Sequence, residues 1–123
     1  MSEEGGMVGA DGVIEWRDSA GRLDRGNGPA RVLPSGREEW YREGRLHRED
    51  GPAVVHANGS VKYYCDGVRH REGGPACVYV NGTEKWYRNG LRHRDEGPAA
   101  TYPDGRLIWF DEGVKVREER APR

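Results

Sequence analysis

The sequence lacks long hydrophobic runs and is poor in apolar residues as a whole. Hydrophobic residues make up 34% of the 123 residues and charged residues 33%, which is little for the core of a two-layer globular domain. No apolar run approaches the roughly 20 residues that a membrane-spanning helix needs. The first residues have neither the basic nor the apolar region of a secretory signal. We therefore expect a cytoplasmic protein with no membrane partner.

An excess of charge of one sign is also missing. The chain has 20 basic and 21 acidic residues, so its formal net charge is −1. A protein that binds nucleic acid needs a basic surface to neutralise the phosphate backbone. The charge balance therefore disfavours nucleic acid as the main partner.

Motifs of known catalytic centres are absent as well. The sequence has no Gly-x-Ser-x-Gly elbow, no P-loop, no Cys-x-x-Cys and no His-Glu-x-x-His. The two cysteines, Cys65 and Cys77, favour free thiols in a reducing compartment over a disulfide or a lone nucleophile. We therefore predict a protein that is not an enzyme and has no cofactor.

What the sequence has instead is a repeat. The tripeptide Gly-Pro-Ala occurs four times at intervals of 23 residues, at 28–30, 51–53, 74–76 and 97–99. A repeat distributes like residues along a line, whereas a catalytic site brings unlike residues to one point. We divide the chain into a flexible leader (1–10), one repeat domain (11–118, with units 11–27, 28–50, 51–73, 74–96 and 97–118) and a charged tail (119–123).

Two glycine turn signals in each unit predict antiparallel strands. Asn58-Gly59 and its equivalents are typical of a type I′ hairpin turn, and a second column that includes Asp66-Gly67 marks the next reversal. Two reversals in 23 residues leave no room for a helix. We expect an all-β fold, an elongated and twisted antiparallel sheet of tandem β-hairpins with about four and a half repeats.

The turns also predict which residues face each other across the strands. A two-residue turn at 66–67 places Cys65 opposite Val68. Likewise, a two-residue turn at 58–59 places Val54 opposite Tyr63. Alternation along the strands then gives one aromatic ladder on each face of the sheet. The ladders are Trp40, Tyr63, Trp86 and Trp109 on one face and Tyr41, Tyr64, Tyr87 and Phe110 on the other.

The repeat unit resembles a known family. The run from Trp40 to Ala53 reads Trp-Tyr-x-x-Gly-x-x-His-Arg-x-Asp-Gly-Pro-Ala, and Asn58-Gly59 follows it. This pattern is similar to the MORN-type repeats of bacterial and phage proteins, over roughly residues 11–118. The resemblance implies an elongated sheet of β-hairpins. It also implies a small interaction module, for example an inhibitor that blocks a defence enzyme or acts like an antitoxin.

A histidine, an arginine and an acid also recur in each unit, as in His47-Arg48-Glu49. Two strands per unit at about 4.8 Å place equivalent residues about 10 Å apart, so three such histidines cannot bind one metal ion through bonds of about 2.1 Å. We predict no metal site. Each histidine is expected to pack on its cross-strand aromatic residue and to bond a turn carbonyl, or to belong to a binding ladder.

The sequence therefore predicts a non-enzymatic protein–protein interaction module. Aromatic and arginine side chains are enriched at interface hot spots, and a thin sheet with aromatic residues on both faces cannot cover them alone. The candidate partner-binding residues are Trp40, His47, Arg48, Tyr63, His70, Arg71, Trp86, His93, Arg94 and Trp109. The alternative is a small ligand or nucleotide bound between Trp or Tyr and Arg. Charges on the last strand predict a monomer or a small closed oligomer.

Overall fold

The computed structural model of the chain describes residues 6–122, which form short antiparallel strands and no helix. Accordingly, this part of the chain contains no helix that is long and apolar enough to cross a membrane. The strands are β1 (Met7–Val8), β2 (Ile14–Glu15), β3 (Arg31–Val32), β4 (Glu38–Glu39), β5 (Tyr41–Arg42), β6 (Arg45–Leu46), β7 (Val54–Val55), β8 (Val61–Lys62), β9 (Tyr64–Cys65), β10 (Val68–Arg69), β11 (Cys77–Val78), β12 (Glu84–Lys85), β13 (Tyr87–Arg88), β14 (Leu91–Arg92), β15 (Ala100–Thr101), β16 (Arg106–Asp111) and β17 (Val114–Arg120).

Eleven of these strands form one antiparallel sheet. Their order is β1-β2-β3-β4-β7-β8-β11-β12-β15-β16-β17, so neighbours in the sheet follow each other along the chain. Each 23-residue unit adds one hairpin to the sheet. The predicted all-β sheet of tandem hairpins is confirmed.

The other six strands form three separate two-stranded ribbons, β5-β6, β9-β10 and β13-β14. Within a unit the second sheet strand continues into the ribbon after a single residue, which is Tyr63 between β8 and β9. The N–H of Tyr63 donates to Ala76 O in the sheet (2.7 Å), and its carbonyl accepts the N–H of His70 in the ribbon (3.2 Å). The aromatic residue of each unit is therefore the joint between the sheet and the row of ribbons.

The two turn columns differ in geometry, and one differs from the prediction. Asp66 and Gly67 both have positive φ, 49° and 85°, as a type I′ turn requires. At Asn58-Gly59 only the glycine has positive φ, 96°. The N–H of Gly59 donates to His56 O (2.9 Å) and the N–H of His56 to Ser60 O (2.8 Å). The prediction of a type I′ turn at Asn58-Gly59 is wrong, because these bonds close a three-residue loop with a bulge.

The longer loop changes the register of the strands that it connects. Around Asp66-Gly67 the predicted pairing of Cys65 with Val68 is confirmed. Across the other turn Val54 lies opposite Lys62 and not opposite Tyr63. The side chain of Asn58 favours this loop, because its Oδ1 accepts the N–H of Ser60 (2.9 Å).

The core is narrow and consists mainly of small side chains. The alanine of every Gly-Pro-Ala tripeptide is completely buried, at positions Ala30, Ala53, Ala76 and Ala99. Main chains approach closely at this column. The N–H of Ala53 donates to Lys62 O (2.9 Å), and its carbonyl accepts the N–H of Trp40 (2.7 Å). The largest completely buried side chains are Val54 and Cys77, so apolar burial alone stabilises each unit only modestly.

The two ends of the sheet extend into the predicted flexible leader and the predicted charged tail. Met7 pairs with Glu15 to form the first edge, so β1 lies within the predicted leader, of which residues 1–5 lie outside the described part. At the other edge β17 runs to Arg120, two residues into the predicted tail, and all of its residues are exposed. Charged side chains alternate with Val114 and Val116 on this edge.

The two turn geometries predict opposite effects of glycine. We expect Glu43→Gly to raise the free energy of unfolding by about 0.5–1 kcal/mol, because Glu43 has a φ of 50° that costs a side-chain-bearing residue about 1 kcal/mol. Asn58→Gly is expected to lower it by about 0.5–1.5 kcal/mol, because it removes the bond to Ser60 and adds backbone freedom. Urea denaturation measures both. Stabilisation by Asn58→Gly would contradict the loop geometry.

Candidate partner-binding site

Each candidate arginine lies over the aromatic ring of its own unit. The guanidinium carbon is 3.7 Å from the ring centre for Arg48 on Trp40, 4.0 Å for Arg71 on Tyr63 and 3.9 Å for Arg94 on Trp86, and the outer units repeat the contact with Arg25 on Trp16 (3.9 Å) and Arg117 on Trp109 (4.1 Å). Such cation–π contacts stabilise by roughly 1–2 kcal/mol when water is partly excluded. The indole N–H groups of Trp40 and Trp86 are buried and meet no acceptor within residues 6–122. The arginine stack is thus the specific contact that holds these rings.

The Gly-Pro-Ala tripeptide completes the arginine site. Nη1 of Arg48 donates to the carbonyl of Pro52 (3.1 Å), and a Cβ on Gly51 would lie 2.8 Å from the guanidinium carbon. Gly51 does not have positive φ, so space for the arginine is the reason for the glycine. The same contacts recur with Arg25, Gly28 and Pro29, with Arg71, Gly74 and Pro75, and with Arg94, Gly97 and Pro98, although Gly97 also has a positive φ of 119°. The constant spacing Arg-x-x-Gly-Pro is the sequence signal for this site.

The candidate histidines connect each unit to the next. Nδ1 of His47 accepts the N–H of Asp66 in the following turn (2.9 Å), whereas a bond to a turn carbonyl was expected. His70 and His93 accept in the same way from Asn89 and Glu112, both at 3.0 Å. Because Nδ1 is an acceptor, the neutral ring carries its proton on Nε2. Nε2 faces the acid two residues on, Glu49 (3.4 Å), Glu72 (2.5 Å) or Asp95 (2.7 Å).

The first unit makes the same connection with a carboxylate. Asp24 occupies the histidine column, and its Oδ1 accepts the N–H of Glu43 (2.9 Å). A backbone bond accompanies each connection, since the turn glycine donates to a carbonyl of the preceding unit, as from Gly67 to Leu46 (2.7 Å). The histidine column is therefore a structural bracket between units.

One group of potential metal ligands lies at such a bracket. Ligand atoms of His47, Cys65 and Asp66 lie within 4.8 Å of one another. The lone pair of His47 Nδ1, however, already accepts the N–H of Asp66, so a cation would have to replace a bond that two other units also make. The geometry therefore supports the bracket at this group.

Three similar clefts follow one another along the ribbon row. Their volumes are about 640, 580 and 450 Å³, and each lies between the loops of two consecutive units. The first is lined by 24–27, 40–43 and 47–50, the second by 47–51, 63–65 and 70–72, and the third by 71–73, 86–88 and 93–96. Nine of the ten candidate residues line these clefts, and Trp109 lies outside them.

Exposed charges form the rim of the clefts. Arg42 bridges two units, with Nη1 3.1 Å from Glu49 and Nη2 3.2 Å from Asp66. Arg88 does the same, 3.3 Å from Asp95 and 3.7 Å from Glu112. A hydrogen bond from His93 and the charge of Arg88 lower the pKa of Asp95. These pairs are exposed, so solvent screening leaves each of them only a small effect on stability.

A column outside the clefts carries residues in which the units differ. His56, Tyr79 and Tyr102 share this position, at the three-residue loops on the opposite end of the sheet strands. Burial, together with the charges of Arg37 and Lys62, lowers the pKa of His56.

The two cysteines lie in different environments. Burial raises the pKa of the Cys77 thiol. Cys65 is exposed, and the two cysteines are both free.

Comparison of the chain with models of known protein families, with characterised proteins and with solved structures found no match.

The stacking site predicts an energetic coupling between Gly51 and Arg48. Gly51→Ala is expected to lower the free energy of unfolding by about 1–3 kcal/mol, because the new Cβ displaces the guanidinium from Trp40. In the Arg48→Ala background, the loss of unfolding free energy caused by Gly51→Ala should be smaller by about 0.5–1 kcal/mol. A double-mutant cycle in urea measures this. If the effects of the two substitutions are additive, Gly51 and Arg48 are not coupled, and the glycine is not needed to make space for the arginine.

The lowered pKa of His56 predicts a pH dependence of stability. Since the folded-state pKa lies below the usual value of about 6.5, the unfolded chain binds a proton at higher pH than the folded chain. The free energy of unfolding should therefore fall as the pH decreases through that value. His56→Tyr, which copies Tyr79 and Tyr102, should flatten the slope between pH 7.5 and 5.5 relative to the parent chain. An unchanged slope would contradict the assignment.

Proposed function

We propose that this chain is a non-enzymatic protein–protein interaction module whose partner lies along the three clefts. The observation that supports this most is the repetition of one cleft in three consecutive units. Equivalent positions in adjacent units lie about 10 Å apart, so an extended surface or segment fills several like clefts at once. Simultaneous contacts of this kind add affinity without any single strong site.

The rim charges and the stacked rings have different parts in this proposal. The side chains of the three loop acids remain accessible to a partner, since Glu49, Glu72 and Asp95 are 76%, 88% and 73% exposed. Arg48 and Trp40 face each other and hold the cleft in shape. We propose that the partner contacts the rim and the edges of the rings, and that the arginine–ring stacks provide a rigid floor.

A small ligand between ring and arginine is the less favoured function. A planar ligand inserted between the two needs about 7 Å, twice the usual stacking distance of about 3.5 Å. The observed separations are 3.7–4.1 Å in all five stacks. A nucleotide would have to separate the guanidinium from the ring. The same guanidinium also donates to the proline carbonyl of the Gly-Pro-Ala tripeptide.

The resemblance to MORN-type repeats supports a more specific role. A small cytoplasmic module of bacterial or phage origin, acting as a monomer or a small closed oligomer, would bind and inhibit one enzyme. A defence nuclease or a toxin is the kind of target that this resemblance suggests.

Charge reversal at the rim tests the proposed function. The double variant Glu49→Arg, Glu72→Arg should lose a partner that the parent chain captures from the cytosol of its source cell. Val80→Arg is the control for an added surface arginine, because Val80 is 67% exposed and lies at the loops on the far end of the strands. The captured protein is then purified and titrated by calorimetry.

Two other results would argue against the proposed function. If both variants capture the partner equally well, the clefts are not part of the interface. A metabolite mixture that shifts the melting temperature of the parent chain by several degrees, with no protein captured, would favour the ligand-binding alternative.

A further inference from the structure

The three ribbons carry one residue each in a common column on the cleft rim, Arg42, Cys65 and Arg88. In the first and third ribbons this residue is an arginine that joins the acid of its own loop to the acid of the next turn. The contacts are Arg42 with Glu49 and Asp66, at 3.1 and 3.2 Å, and Arg88 with Asp95 and Glu112, at 3.3 and 3.7 Å. The middle ribbon replaces the arginine by a cysteine.

The partners of the missing arginine differ in a corresponding way. Glu72 is the loop acid of this unit, its side chain is 88% exposed, and its ion pair within the described residues is with His70 at 2.5 Å. Asn89 stands where the other units have Asp66 and Glu112. An amide offers a carbonyl oxygen without a second unpaired charge. The middle unit therefore keeps an oxygen acceptor at both ends of the bridge, one in a carboxylate and one in an amide, and lacks the cation.

The arginines that line the same cleft do not supply that cation. Nη1 of Arg71 donates to Pro75 O (3.1 Å), and its guanidinium lies on Tyr63. Arg48 lies on Trp40, and its Nε is paired with Asp50 (3.0 Å). Both guanidinium groups are held in the stacks that shape the cleft, so Glu72 remains open to a charge from outside.

We propose that the gap above Cys65 is a socket for a cationic side chain of the protein partner, an arginine whose guanidinium takes the place that Arg42 and Arg88 hold in the neighbouring units. The proposal rests on the function proposed above and adds the chemistry of one anchor. The guanidinium would donate to the carboxylate of Glu72 and to the amide oxygen of Asn89. The cleft of about 580 Å³ beside Tyr63 and Tyr64 receives the aliphatic part of the side chain.

The neighbouring units point to this ligand. The chain itself places a guanidinium at the equivalent position twice, each time between the acid of one loop and an oxygen of the next turn. A planar donor pair fits two acceptors on different units better than an ammonium does. We therefore expect arginine to bind more tightly than lysine.

Chemical modification of Cys65 tests whether the gap accepts a cation. Cys65 is exposed and Cys77 is completely buried, so a methanethiosulfonate reagent reacts at one position. An aminoethyl adduct places an ammonium near Glu72 and should raise the melting temperature by about 1–3 °C relative to a sulfonatoethyl adduct. In Glu72→Gln the difference between the two adducts should vanish. Equal melting temperatures in the parent chain would overturn the socket.

Binding of a free probe tests the arginine preference. N-acetyl-arginine methylamide, titrated into the ¹⁵N-labelled parent chain, should shift the signals of residues 70–72 and 89, and the citrulline analogue should not. Cys65→Ser keeps the gap open and should retain the shifts. Cys65→Arg fills the gap from within, and Glu72→Gln removes the acceptor, so both should lose them. Shifts that persist in Cys65→Arg would contradict the proposal.

The two proposals fail in distinguishable ways. If Cys65→Arg captures the partner as well as Cys65→Ser does, the socket is excluded and the interaction module stands. If the arginine probe binds at Glu72 but no protein is captured along the clefts, the socket stands and the proposed partner does not.

Discussion

The contact on which the rest of the structure depends is the guanidinium held between an aromatic ring and a glycine backbone. In the second unit Arg48 lies on Trp40, reaches the carbonyl of Pro52 and needs the space left by Gly51. The ring ends one sheet hairpin, and the tripeptide begins the next. One planar side chain therefore joins the end of one hairpin to the start of the next. Lysine could not replace it, because an ammonium neither stacks flat nor presents donors in a plane.

A narrow core makes the polar connections between units unusually important. Alanines fill the positions where main chains meet, and few large side chains are completely buried. The histidine brackets and the bonds from turn glycines to the preceding unit repeat at each junction of the ribbon row. Since every unit contacts mainly its neighbours, stability is a sum of unit and junction terms. A weakened junction should loosen the array locally before the whole chain unfolds.

The sequence was sufficient for the fold class and for one of the two turn columns, because local turn chemistry decides both. The prediction from sequence was wrong where one local sequence is compatible with two loop types. Asn58-Gly59 suits two loop types, and the bond from Ser60 to the side chain of Asn58 selects the longer one, which moves Val54 opposite Lys62. Strand alternation also could not separate the ribbons from the sheet. Nine of the ten candidate residues line the clefts, but neither the clefts nor the contacts among these residues could be predicted, because both depend on spacing across units.

The equivalent junctions allow the number of units in this array to change without any change in how neighbouring units pack. Removing residues 51–73 would join Asp50 to Gly74 and recreate the local sequence Arg-Glu-Asp-Gly-Pro-Ala, with a histidine, an arginine and a tripeptide in their usual places. The groove would shorten by one step of about 10 Å. Duplication would lengthen it by the same step. Binding reach in such a protein is therefore set in whole units, and a single exceptional unit, such as the one with Cys65, can be moved along the groove by gain or loss of its neighbours.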